Sequence, residues 1–331
     1  MQSEKEKSLM IFVVIPSYNA EGFILRAVDS AFISGANCVI VVNDGSTDGT
    51  LAMLQGHARF QDELIVVSQT NKGESAAANA GVDYICNMYS SKIESKSSPV
   101  YLCVLSADDF LHENSLEHLR CALEGDKDAV AAYPNWNWVN SAEEVLKYMS
   151  PEKYDKVSLL GKLRCLPGPG TLMRISAING LNGPLRNENI TFIGDLDQWV
   201  RLSRLGRFLK VPVLGASWTD HKLNQSKLID GEVLSRDYRH LKTSVVEELT
   251  HWPSKEAKVL FEVTYNRTQA VILSPLGFFW LGVRHLFDSL NVARRNNLPF
   301  SQTGWKLLEI AGVVTPFAAP LARRFRRLRD R

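Results

Sequence analysis

Between residues 11 and 105, short apolar runs rich in β-branched residues alternate with stretches of helical periodicity, and few folds accept that alternation. Ile11–Ile15, Cys38–Val42, Leu64–Val67 and Tyr101–Leu105 read as strands. They lack the polar alternation of a half-exposed strand, so both faces of their sheet must be covered. Helices are predicted at Gly22–Ser34, where Ile24, Val28, Ala31 and Phe32 share a face, and at Glu74–Met88, whose small residues let it lie close on a sheet. Strand–helix–strand units of this kind build an α/β fold with a mostly parallel sheet flanked by helices. The polar stretch Tyr89–Pro99 reads as a surface insertion.

From about Lys127 the pattern loses regularity. Trp136 and Trp138 stand in a polar setting, and a Gly/Pro cluster, Pro167–Gly170, precedes an apparent strand at Leu172–Ile175. Helical periodicity returns at Gly194–Leu205 and a strand is predicted at Arg207–Val213. Beyond Lys227 the chain reads as helices at Glu232–Thr250, Lys255–Ile272, Phe278–Asn296 and Gly304–Arg329, separated by Pro253, Pro275 and Pro299. The expected division is therefore an α/β domain over residues 1–226 and a helical C-terminal region with a basic tail over residues 227–331, which suits a length of 331 residues.

Composition narrows the class of function. With 38 Lys+Arg against 36 Asp+Glu there is no overall basic field of the kind that nucleic acid binding uses. The positive charge is local: residues 302–331 hold seven basic and two acidic side chains, a net of +5 within a total of +2. Cys38, Cys86, Cys103, Cys121 and Cys165 are widely spaced without a CxxC pair and read as reduced thiols. Met1–Ser8 is polar, with no signal-peptide core, and no run reaches the roughly 18 apolar residues of a spanning helix. A cytoplasmic protein is expected.

Two strand ends carry candidate chemistry. Asn43-Asp44-Gly45-Ser46-Thr47-Asp48-Gly49-Thr50 follows the second strand, where ligands of open α/β sheets bind. Its residue types equally suit a turn and a helix cap. Ser106-Ala107-Asp108-Asp109 follows the fourth strand, and its carboxylates suit Mg²⁺ or Mn²⁺, or again a cap.

Taken in order, these segments resemble the family 2 glycosyltransferases of the GT-A fold. The family's opening Pro-[Thr/Ser]-Tyr-Asn stands here as Pro16-Ser17-Tyr18-Asn19, its acidic Gly-Ser motif as Asn43 to Thr50, its Asn-Lys-Gly-x-x-x-Ala-x-Asn-x-Gly as Asn71-Lys72-Gly73 through Ala77, Asn79 and Gly81, and its metal motif as Ser106 to Asp109. The four matches cover about the first 110 residues and weaker likeness reaches Ser226. The resemblance implies that Pro16, Ser17, Tyr18, Asn19 and Asp44 hold the base and ribose of a nucleoside-diphosphate sugar, with Lys72 beside the base or phosphates. Ser106, Ala107 and Asp108 would line the donor site, with Asp108 on the divalent cation, Mg²⁺ or Mn²⁺, and Asp109 close by. Gly194-Asp195-Leu196-Asp197-Gln198-Trp199-Val200-Arg201-Leu202 is similar to the segment that carries the family's catalytic base, which makes Asp195 the candidate. Trp218-Thr219-Asp220-His221 with Ser226 is similar to a later segment, so His221 would complete metal or diphosphate binding.

The implied reaction is inverting transfer from a donor, a UDP-sugar favoured, to a glycan or lipid-linked acceptor in bacterial surface polysaccharide synthesis. Three departures stand out: Asn43, Ser106 and Gly194 replace Asp, Asp and Glu. Asn and Ser still hydrogen-bond, whereas Gly194 hands the role of the missing Glu to Asp197 or Glu188. They also keep open a competing reading, a GT-A-fold module that binds sugar nucleotides or glycans without transfer. Pro167–Gly170 reads as a close-approach loop or a tight turn, and Trp136 and Trp138 as an acceptor platform or as core. The apolar Trp305–Pro320 followed by Arg323, Arg324, Arg326, Arg327, Arg329 and Arg331 suits attachment to an anionic membrane surface, placing the protein peripherally at the inner face of the cytoplasmic membrane, or else packing on a partner subunit, which admits a homo-oligomer.

Overall fold

The apolar run at residues 11–15 forms the middle of strand β1 (Met10–Ser17), every residue of which except Met10 is buried. A computed structural model describes residues 10–90, 93, 99–164, 167–222, 224, 227–248, 252–276, 279–305, 309 and 313. After β1 come α1 (Ile24–Ile33), β2 (Cys38–Asp44), α2 (Thr50–Gln55), β3 (Leu64–Gln69), α3 (Glu74–Met88), β4 (Val100–Val104), β5 (Phe110–Leu111) and α4 (Ser115–Gly125). They are followed by β6 (Ala129–Asn140), β7 (Val145–Met149), α5 (Lys156–Lys162), β8 (Leu172–Arg174), α6 (Ile175–Ile178), α7 (Gly194–Leu202), β9 (Arg207–Asp220), α8 (Gly231–Glu248), α9 (Lys255–Leu273) and α10 (Phe279–Arg295).

Among the described residues nine strands form one sheet in the order β3-β2-β1-β4-β8-β6-β9-β5, with β7 paired to β6. The first four run parallel, with Val13 opposite Val39 on one side and Cys103 on the other. Alternation sends Ile11, Val13 and Ile15 to one face, where they pack with Ile24, Ala27, Val28 and Ala31 of α1. On the other face the small residues of α3 bring helix and strand together: a Cβ on Gly81 would lie 2.5 Å from Val14 Cγ1. The close-lying helix anticipated from Glu74–Met88 is therefore present.

The irregular stretch after Lys127 is in fact the long strand β6 and its hairpin partner β7. The strand expected at Arg207–Val213 continues to Asp220 and runs beside β6 through a bulge: Tyr133 faces Lys210 and Asn135 faces Leu214, so β6 advances two residues while β9 advances four. Pro134 and Pro212 sit within that irregularity, because neither can donate to the ladder. Strand β8 stops at Arg174, one residue short of the apparent run, and the chain turns at once into α6.

The chain divides into two compact units. The first comprises Met1–Tyr154, Cys165–Glu188 and Arg201–Asn224 and contains the whole sheet. The second comprises Asp155–Arg164, Asn189–Val200 and Gln225–Arg331, so it takes in α5 and most of α7 as well as α8, α9 and α10. Within it, Gly161 lets α5 approach α9, where an added Cβ would meet Leu260 Cβ at 2.9 Å. Ser235 of α8 and Gln269 of α9 exchange two buried hydrogen bonds, and Trp305 donates its indole N–H to Ser289 at 2.9 Å.

Cys38, Cys86, Cys103 and Cys121 are free thiols. Burial pushes the Cys38 thiol up to about 11. Among the described residues no helix is long and apolar enough to cross a membrane. Cys165, Ser226, most of the insertion at residues 89–99 and most of the final segment, including the arginines from Arg323 onward, lie outside the described residues.

Candidate active site

The residues at the ends of β1 and β2 hold one another. Pro16 and Ser17 are buried, Tyr18 is 52 % exposed, and Asn19 takes a left-handed conformation with φ of 49°. The Asn19 amide N–H donates to Ser46 Oγ at 3.0 Å and Asn19 Oδ1 accepts the Thr47 N–H at 2.8 Å. Asn43 Oδ1 accepts the Ser46 N–H at 3.1 Å, a role an amide oxygen fills where the family has Asp. Gly45, at φ of 76°, turns the chain so tightly past Asn71 that a Cβ would stand 2.9 Å from its amide nitrogen. Burial pushes the Asp48 carboxyl up, but hydrogen bonds from the Thr50 hydroxyl and from nearby amides outweigh it and hold the group below the ordinary carboxylate range.

Asp44 is 3 % exposed and engages through both oxygens. Oδ1 accepts from Gln69 Nε2 at 2.7 Å and from the Lys72 N–H at 2.8 Å, while Oδ2 accepts the Gly73 N–H at 2.8 Å. Its carboxylate thus anchors the turn from β3 into α3, and the exposed Lys72 side chain is carried on that turn. From the same helix, Asn79 clasps the backbone of Arg186 through both ends of its amide, at 2.9 Å each, and donates to Glu188 Oε1 at 3.0 Å.

After β4, Ser106 is exposed, Ala107 and Asp108 are half-buried and Asp109 is 2 % exposed. The two carboxylates part company. Asp108 Oδ2 lies 2.8 Å from His221 Nε2, just past the end of β9, in a pair whose side chains are 26 % and 14 % exposed. Asp109 turns inward and accepts the buried Thr219 N–H at 2.9 Å. Burial, and then the charge of Asp108, push the Asp109 carboxyl well above the ordinary range. Among the described residues no three His, Cys, Asp or Glu side chains gather as a metal site; Asp108 and His221 stand together as a pair, and Asp109 is turned to the Thr219 amide. One carboxylate and one imidazole fit Mg²⁺ or Mn²⁺, since such ions complete their coordination with substrate phosphates and water.

Three side chains that the motifs did not flag build this corner. Arg26 of α1 donates from Nη2 to the Asp108 carbonyl at 2.5 Å and to Thr219 Oγ1 at 2.9 Å, with its guanidinium 4.6 Å from the Phe110 ring centre. Phe23 stacks on the His221 ring with centres 4.9 Å apart. Asn224, 4 % exposed, bonds Thr219, His221 and Asp108.

The Pro167–Gly170 loop closes on protein: a Cβ on Gly168 would meet the Trp136 indole nitrogen at 2.5 Å. Trp138 packs edge-on against Trp218 at 5.2 Å. In the second unit, Asp195 is exposed in the first turn of α7 and its Oδ1 accepts the Leu196 N–H at 2.7 Å. The loop just before it is held by Asp237 of α8, fully buried, whose Oδ2 accepts the N–H groups of Thr191 at 2.9 Å and Phe192 at 2.6 Å. Of the two candidates to replace the missing Glu, Asp197 is fully buried and Glu188, in the first unit, is exposed.

The model of glycosyl transferase family 2 matches residues 12–181, more than half of the chain. The chain belongs to that family. Chondroitin synthase of Escherichia coli is 27 % identical over 202 residues, covering 60 % of this chain; this chain spans only 27 % of that enzyme's length. An uncharacterized glycosyltransferase of Rickettsia typhi is 27 % identical over 233 residues, 66 % of this chain and 68 % of the relative. The crystal structure of GalNAc-T7 with UDP, GalNAc and Mn²⁺ shares the fold, with a TM-score of 0.54 at 13 % identity over 88 % of this chain and 58 % of that one. The family 2 glycosyltransferase described here thus has the expected α/β GT-A architecture, followed by the helices α8 to α10.

Proposed function

We propose that this chain moves a sugar from a nucleoside-diphosphate donor, a UDP-sugar favoured, to a glycan or lipid-linked acceptor with inversion, in bacterial surface polysaccharide synthesis. The observation that carries the reading is the Asp108–His221 pair, set in the same unit and sheet as the strand ends of β1 and β2. A structural neighbour with UDP and Mn²⁺ and a relative named chondroitin synthase support it.

In this reading the β1 and β2 ends, with Pro16, Ser17, Tyr18, Asn19 and the turn that Asp44 anchors, flank the nucleotide. The Lys72 ammonium attracts the diphosphate, and Ser106 and Ala107 line the donor. Asp108 and His221 hold Mg²⁺ or Mn²⁺, which when bound offsets the charge of the leaving diphosphate. Asp109 contributes from behind by fixing Thr219. Asp195 takes the proton of the acceptor hydroxyl as that oxygen attacks the anomeric carbon. A single carboxylate base acting opposite the leaving group gives one displacement, hence inversion. Residues 1–226 would carry the donor chemistry, and residues 227–331 would bring the protein to the cytoplasmic membrane surface through their basic end.

The test is calorimetric titration with UDP, GDP, CMP and dTDP, each with and without Mn²⁺, on the protein and on Asp108→Ala. Metal-dependent binding of one nucleotide that disappears in the variant is the expected result. Binding of none, or equal binding by the variant, would overturn the assigned site.

A further inference from the structure

We propose that Asn224 is a positioning residue that sets Asp108 and His221 for the cation; the inference rests on the reading of that pair given above. Asn224 is 4 % exposed, and its whole amide is engaged. Oδ1 accepts the backbone N–H of His221 at 2.5 Å, and Nδ2 donates to the Thr219 carbonyl at 2.9 Å and to Asp108 Oδ2 at 3.3 Å. The partners dictate which end of the amide is which, since Thr219 offers a carbonyl, Asp108 a carboxylate and His221 an N–H. One short side chain therefore bonds the Asp108 carboxylate directly and pins the backbone that carries the His221 ring.

No other residue type reproduces this set. Aspartate has the right length but no donor, and would turn an oxygen toward the Thr219 carbonyl and the Asp108 carboxylate. Serine is too short to bridge all three, and glutamine adds a methylene in a buried space. The Asp108 carboxylate, drawn toward Asn224, is also paired with the imidazole, whose ring Phe23 stacks from one side. Groups that hydrogen-bond a metal ligand fix its orientation and basicity, and their loss typically lowers metal affinity by about 10- to 100-fold.

Mn²⁺ affinity in the presence of UDP, measured by electron paramagnetic resonance on the full chain, tests the idea. The set is the wild type, Asp108→Ala, Asn224→Ala, Asn224→Ser and the core variant Leu119→Ala. Asn224→Ala and Asn224→Ser are expected to weaken Mn²⁺ binding by about 10- to 100-fold. Leu119→Ala, which removes buried packing in α4, should lower thermal stability and leave Mn²⁺ affinity unchanged. Wild-type affinity in a folded Asn224 variant, with Asp108→Ala impaired, overturns this proposal alone. Absence of Mn²⁺ binding in the wild type, or unimpaired binding by Asp108→Ala, overturns the reading beneath it as well. Asn224→Ser provides the same measurement should Asn224→Ala fail to fold.

Discussion

Gly81 offers a test in which the sign of an effect reverses. A Cβ placed there would stand 2.5 Å from Val14 Cγ1 and 3.0 Å from Cγ2, whereas carbon atoms rest at about 3.5–4.0 Å. Val14 cannot yield easily. It is fully buried, lies between Ile40 of β2 and Val104 of β4, and its branched side chain is stiff at χ1. Overpacking of this kind costs about 1–3 kcal/mol, against a gain of about 1 kcal/mol from replacing glycine by alanine in a helix. Gly81→Ala should therefore destabilise the first unit by up to about 2 kcal/mol. Val14→Ala alone costs about 2 kcal/mol through lost burial and a cavity. In that background the 2.5 and 3.0 Å contacts are gone and only a tight contact of 3.3 Å with the Cβ is left, so Gly81→Ala should stabilise by up to about 1 kcal/mol. Amide hydrogen exchange in β1, read across the four proteins of the cycle, reports opening of this sheet even if the two units unfold separately. Equal destabilisation by Gly81→Ala in both backgrounds would refute the close-approach argument.

Asp44→Ala removes the acceptor of the Lys72 and Gly73 amides, each bond to a charged group contributing about 1.5–3 kcal/mol net of its exchange with water. Exchange of those two amides should quicken at least about tenfold and nucleotide affinity should fall; unchanged protection would remove Asp44 as the anchor of the turn. Asp109 has a folded-state pKa raised above the usual value of about 3.9, so the stability it allows is fully present below that value and is lost as pH rises through the folded value. Asp109→Asn keeps an acceptor for Thr219 and never ionises. Urea midpoints of variant and wild type should nearly coincide near about pH 4 and separate in favour of the variant toward neutrality, and a gap independent of pH would contradict the assignment.

The α/β half was readable because its strands are apolar on both faces and its helix α3 announces close packing by small residues. Strand β6 and the second half of β9 were not, because Pro134, Pro212 and Gly215 are breakers in sequence, and only the bulge that pairs the two strands accommodates them. The site divides in the same way. Asp44, Asp108 and His221 stood in recognisable segments, but the inward turn of Asp109 depends on a backbone amide 110 residues away, at Thr219. Arg26 and Asp237 act on backbone groups distant in sequence, and no local pattern marks a side chain whose partner is a carbonyl or amide of another segment; Asn224 bonds backbone close by and reaches across only to the Asp108 carboxylate. For Asn224 the one sequence signal was its place three residues after His221.

Thr219 commits its N–H to Asp109, its hydroxyl to Arg26 and its carbonyl to Asn224, three side chains from three separate stretches of chain. This knot resists piecemeal change. Altering one member leaves the other two pulling on an unaltered strand end, so a useful alternative has to arrive in several positions together.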